Sequence, residues 1–163
     1  MRKTLCAVLL VLLGSAVPTF GATVSMPDVY VTAGETVEVP VIIDNAAGIA
    51  GFQFTITYDA KLLEASGAVA GDLTGGWLVK TNTSHKGQIS LAGVDTSLAG
   101  LGAVSGSLAK LQFRVVAKRD GATDLAFAVC KLSDGAGAKI ASACDPGSIT
   151  VTGTGKPKPK PDK

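Results

Sequence analysis

Between residues 23 and 152 apolar and polar side chains alternate with a period of two, the pattern of strands that bury one face. Val37, Val39, Val41 and Ile43 interleave with Glu38, Pro40, Ile42 and Asp44. Phe52, Phe54, Ile56 and Tyr58 interleave with Gln53, Thr55 and Thr57, and Ala109, Leu111, Phe113 and Val115 with Lys110, Gln112, Arg114 and Val116. Turn-forming pairs punctuate these runs, among them Ala33-Gly34, Asp44-Asn45, Lys86-Gly87, Asp120-Gly121 and Asp134-Gly135. Shorter runs at 29–31, 63–66, 77–81, 88–94, 125–131 and 148–152 complete a set of about nine strands at the spacing of an all-β sandwich or barrel, and the sandwich is the expected form. A single helical turn is expected around 61–64. Pro40 has no N–H to give a ladder, so its strand should lie at an edge there or carry a bulge. The Gly-rich segment 97–106 reads as a loop.

The two ends follow other rules. Met1-Arg2-Lys3-Thr4, the apolar run 5–13 and Gly14-Ser15-Ala16-Val17-Pro18 have the order of a secretory leader. The run is about half of the ~20 residues a membrane span needs, so no transmembrane segment is expected. Cleavage is expected after Gly21 or Ala22, which divides the chain into a leader at 1–22, a β body at 23–152 and a tail at 153–163. The mature protein is then secreted, at the cell surface or in a periplasm. Lys156-Pro157-Lys158-Pro159-Lys160-Pro161 in the tail favours extended polyproline II.

Trimming changes the charge. The full chain carries 15 basic and 13 acidic side chains; without leader and tail 9 basic face 12 acidic, a balance of −3. A mildly acidic body has no basic field for nucleic acid. Cys6 leaves with the leader, and Cys130 and Cys144 remain as an even pair. In an oxidising compartment they are a disulfide candidate, the alternative being two separate buried thiols. Two thiols without a nearby His do not make a zinc site.

Catalytic constellations are missing. His85 sits in the turn Thr83-Ser84-His85-Lys86-Gly87 with no nucleophile in a suitable motif. Asp59, Glu64, Asp72 and Asp95 lie in or beside turns, where carboxylates serve the backbone. Phosphate-loop, His-Glu-x-x-His and calcium-loop motifs are absent from the sequence. The chain therefore reads as a binding module and not as an enzyme. Alternation turns Phe52, Phe54, Phe113 and Phe127 inward. Trp77 and Tyr30 are the candidates for a glycan-stacking surface, although Trp77 could equally cap the core. The face bearing Gln53, Thr55 and Thr57 is flat, uncharged and hydroxyl-rich, suited to a protein partner or simply to solvent.

Several segments, in order, resemble the cohesin domain of cellulosomal scaffolding proteins. They are Ala33-Gly34-Glu35-Thr36-Val37-Glu38-Val39-Pro40-Val41, the stretch from Gly48-Ile49-Ala50-Gly51 to Tyr58-Asp59, Leu62-Leu63-Glu64, Gly71-Asp72-Leu73, Gly87-Gln88-Ile89-Ser90, Gly106-Ser107-Leu108-Ala109 and Gly147-Ser148-Ile149-Thr150-Val151. The resemblance implies a nine-stranded jelly-roll sandwich, related in fold to carbohydrate-binding modules, that docks a dockerin. It also implies no cofactor on this chain, because calcium belongs to the loops of the dockerin. The implied contacts are Gly51 and Gln53, standing where an Asn and an Asp are common, together with Thr55, Thr57, Ser90 and Asp95. Polysaccharide breakdown is the implied setting. A carbohydrate-binding module, or an envelope protein held by its Lys-Pro tail, is the rival reading.

Overall fold

A strand that buries every second side chain needs a second apolar surface to bury it against. The computed structural model describes residues 21–153; the expected leader up to residue 20 and the Lys-Pro tail from 154 lie outside the described residues. The described residues form twelve strands and no helix: β1 Ala22–Ser25, β2 Asp28–Thr32, β3 Thr36–Ile43, β4 Gly51–Thr57, β5 Leu63–Ala70, β6 Leu78–Asn82, β7 Gln88–Val94, β8 Gly106–Val115, β9 Gly121–Ser133, β10 Lys139–Ile140, β11 Ser142–Asp145 and β12 Gly147–Thr152. One sheet runs β11-β1-β3-β8-β5, the other β2-β12-β9-β4-β7-β6 with β10 appended to β9. Packed face to face, they make a jelly-roll sandwich.

All nine expected strands are present, and β1, β10 and β11 are additional. β1 adjoins the leader with no turn signal between them. Ala22, the last residue assigned to the leader, opens β1 and is buried. β10 and β11 are two and four residues long and lie in a Gly/Ala/Ser-rich stretch without alternation. The single turn expected around 61–64 is present as a hydrogen-bonded turn displaced to 59–63, too short to make a helix. The amides of Leu62 and Leu63 both donate to the Asp59 carbonyl at 3.0 Å, and β5 begins at once. Pro40 meets both of its conditions. β1 pairs only with Ile42 and Ile43, leaving β3 open on that side at Pro40, and the β3–β8 register shifts between Val41 and Ile42.

The interior is mainly aliphatic and aromatic, with the buried hydroxyls of Thr74, Ser107 and Thr123 hydrogen-bonded at its margin. Phe54, Ile56, Leu108, Leu111, Phe113, Leu125 and Ile149 are fully buried. Phe54 stacks on Phe52 at 5.0 Å and meets Phe127 edge-on at 5.7 Å, while Tyr58 sets its ring edge-on to Phe113 at 5.2 Å. Such ring contacts add about 0.5–1.5 kcal/mol each beyond the area they bury. Cys130 pairs in register with inward-facing Phe54, and Cys144 with inward-facing Val24. Their disulfide therefore ties the edge strand β11 of one sheet to β9 of the other.

The closed loop has a sequence separation of 14. For that length the chain-entropy estimate is about 3 kcal/mol. The double variant Cys130→Ser/Cys144→Ser is expected to lose that much stability, read as a lower urea midpoint. An unchanged midpoint would show that the covalent tie contributes nothing.

Candidate functional site

The pleat that sends Phe52, Phe54 and Ile56 into the core sends Gly51, Gln53, Thr55 and Thr57 to the outer surface of the larger sheet. Pairing with β7, β6 and β9 sets their neighbours in three parallel rows. The central row is Lys80, Ala92, Gln53 and Lys131; one flanking row is Leu78, Val94, Gly51 and Ser133, extended by Lys139 of β10. The other is Asn82, Ser90, Thr55 and Val129. Three strand spacings of about 4.8 Å put the two lysines of the central row roughly 14 Å apart at the backbone.

The expected contact residues differ in what they offer. Gln53 is exposed, and its side-chain amide hydrogen-bonds to no described neighbour. Thr55 keeps only 9% of its surface exposed, and its hydroxyl is spent on Ser90 Oγ at 3.1 Å. The Thr57 hydroxyl donates to the Ala126 carbonyl at 3.4 Å. Gly51 is buried, and a Cβ there would stand 2.7 Å from Ser133 Oγ. The serine already fills the space a side chain at 51 would use, so position 51 gives the surface backbone only. Nor is the face uncharged, as Gln53, Thr55 and Thr57 alone suggested: Lys80 and Lys131 flank Gln53. Ala92, Val94 and Leu78 supply an apolar centre, Leu78 and Val94 being 51% and 39% exposed. Alternation along 88–94 points to Ala92 and Val94. The lysines become neighbours of Gln53 only through strand pairing.

Asp95 is turned to its own loop. Its carboxylate accepts from the Ser97 amide at 2.9 Å, from the Ser97 hydroxyl at 2.7 Å and from the Gly100 amide at 3.1 Å. Hydrogen bonds, first from the Ser97 side chain and then from its backbone, hold the carboxyl below the usual aspartate range. The loop so organised carries Leu98 at φ 57°, in the left-handed region.

The two aromatic candidates do not share a platform. Trp77 is half-buried and stacks on Phe52 at 6.0 Å. Phe52 in turn lies across Gly93, where a Cβ would be 2.4 Å from its ring. The fully buried Thr74 fixes the approach: its hydroxyl donates to the Leu108 carbonyl at 2.7 Å, and its own carbonyl accepts from the Trp77 amide at 2.9 Å. Trp77 thus caps the core. Tyr30, 78% exposed, lies on β2 at the opposite edge of the sheet. His85 is exposed in its turn beside Ser84. Among the described residues no group of three or more His, Cys, Asp or Glu converges to hold a metal, and no helix is long and apolar enough to cross a membrane.

A depressed carboxyl pKa contributes stability above the ordinary aspartate value and loses it as pH falls through the lowered one. The Gly100 and Ser97 amides should therefore lose protection, their exchange measured against the intrinsic rate at each pH, below that lowered value. In Asp95→Ala they should exchange faster at neutral pH as well, with the global unfolding midpoint little changed. Unaltered exchange of both amides in the variant would mean that the loop does not depend on the carboxylate.

Comparison with known proteins gives a consistent picture. The family described as "Cohesin domain" matches residues 22–151. Cellulose-binding protein A of Clostridium cellulovorans is 42% identical over 72 residues, 44% of this chain and only 4% of that protein's length. The solution structure of CaCohA2 from Clostridium acetobutylicum is 28% identical, with a TM-score of 0.72, covering 83% of this chain and 93% of that one. A type I cohesin–dockerin complex from Clostridium thermocellum contains a chain of 20% identity and TM-score 0.72, with 81% and 99% covered, a likeness of fold.

Proposed function

The chain belongs to the cohesin family of non-catalytic interaction modules, and from that premise we propose that the outer face of β6, β7, β4 and β9 docks a dockerin. The observation that carries this reading is Gln53: an exposed amide with both its donors and its acceptor unspent, beside Ala92 in a shallow concavity walled by Lys131, Gly137 and Lys139. A small apolar centre ringed by polar groups is the make-up of a protein interface. Ala92, Val94 and Leu78 form the centre here, and Gln53, Ser90 and the lysines form the ring. The chain is a non-catalytic partner that brings a dockerin-bearing protein to itself, in the setting of polysaccharide breakdown outside the cell. The leader-like start and the Cys130–Cys144 bridge, at home in an oxidising compartment, support that location. Calcium, in this reading, is carried by the loops of the helical partner. The two aromatic candidates do not combine into a glycan-stacking platform, since Trp77 is spent on Phe52 and the exposed Tyr30 stands at the opposite edge of the sheet.

Calorimetry against a panel of isolated dockerins tests the reading. At least one calcium-loaded dockerin should bind saturably, and chelator should abolish binding without moving the melting temperature of this chain. Gln53→Ala should weaken binding about three- to tenfold, the value of a typical net hydrogen bond. Ala92→Trp, a bulky ring at an exposed centre, should block it while leaving the melting temperature unchanged. Capture of no dockerin, or full-strength binding by Ala92→Trp, would refute the assignment.

A further inference from the structure

We propose that this face selects a dockerin with an acidic contact surface, carboxylates reaching Lys80 and Lys131 on either side of Gln53 and Lys139 beside them, and an aliphatic side chain over Leu78 and Val94. The inference rests on the docking reading and names the chemistry of the partner.

The charges of the two outer faces are managed in opposite ways. On the smaller sheet the charged side chains satisfy one another: Lys110 bridges Asp72 at 2.8 Å, and Arg114 pairs with Glu64. Gln112 there also donates to Glu38 at 3.5 Å. On the larger sheet Lys80, Lys131 and Lys139 are exposed and form no ion pair among the described residues. Carboxylates that follow these strands are committed elsewhere. Asp95 at the end of β7 is held by the Ser97 and Gly100 amides. Asp134 at the end of β9 accepts from the Ala136 amide at 2.9 Å and the Ala138 amide at 2.8 Å. Lysines without an ion pair thus stand together at the β6–β10 end of the larger sheet, its exposed carboxylates Asp28 and Asp124 lying at the other end, on a body whose net charge is −3 over the described residues. It is a local arrangement and not overflow from a basic protein.

Spacing gives the partner a shape. The two lysines of the central row are roughly 14 Å apart at the backbone, a spacing that two carboxylates match with both lysine side chains standing straight out from the sheet. A helix laid across the four strands covers that distance in about nine residues. Acidic side chains about seven or eleven positions apart on one helical face would therefore meet Lys80 and Lys131, with the apolar residue between them facing Leu78, Ala92 and Val94. The exposed aliphatic side chains favour a polypeptide over an anionic polysaccharide, which would leave them without partners.

The full chain is measured against calcium-loaded dockerins graded by the charge of their exposed helices, and against polygalacturonate, at 50 and 500 mM NaCl. The tightest binder should be an acidic dockerin, its affinity falling at least tenfold at the higher salt. Lys80→Glu/Lys131→Glu should weaken it at least tenfold more. Lys61→Glu/Lys118→Glu, away from the face, should bind like the unaltered chain. A tightest binder with neutral or basic helices, or salt-independent binding untouched by the first pair of reversals, overturns the charge assignment and leaves docking standing. Binding of polygalacturonate through Lys80 and Lys131 with no dockerin bound overturns both.

Discussion

The arrangement depends on one constraint, the burial of Phe52, Phe54 and Ile56 on the inner side of β4. A one-residue slip would move all three to solvent and bring Gln53 and Thr55 into an apolar interior. Seven paired residues on each side, to β7 and to β9, lock that register. The outer surface is therefore decided from within. Gln53 faces outward because the rings of Phe52 and Phe54, stacked on each other, cannot. The rows formed with neighbouring strands follow from the same registration.

How much of this the sequence discloses depends on the range of the forces involved. Alternation is local, so the parity of 37–43, 52–58 and 109–115 and the inward aim of the phenylalanines are legible directly. The order of family-like segments adds the sandwich and the face to inspect. What cannot be read locally is which strands lie side by side. Lys80 and Lys131 are 51 residues apart in the chain, yet both stand in the row of Gln53. The fate of Trp77 likewise hinges on Phe52 occupying the space left by Gly93, a contact between three separate segments. β10 and β11 escape notice because their pairing partners, and not their own sequences, make them strands. Asp95 reads as a surface carboxylate until the amides of its own loop are counted.

The loops at the ends of β7 and β9 share a device. In each, an aspartate folds back on amides two to five residues ahead and makes no ion pair with the lysines of the face, although it keeps its charge. The smaller sheet spends its carboxylates on cross-strand partners instead. One surface of the sandwich is thereby chemically complete, and the other keeps its lysines and one amide uncommitted. The same acid–base inventory gives two faces of different character, sorted by strand pairing alone.

The parallel pairs β1–β11 and β2–β12 join residues 22–32 to residues 142–152. Both opening strands thus find those partners only in the last stretch of the β body to leave the ribosome. The smaller sheet is not finished before Asp145 nor the larger before Thr152, and until then β1 can meet only β3, through Val24 and Ser25, while β2 has no partner. Such end-to-end wiring carries a high contact order and slows folding. It leaves the polypeptide threadable for as long as its synthesis lasts, and makes completion of the molecule a single late event.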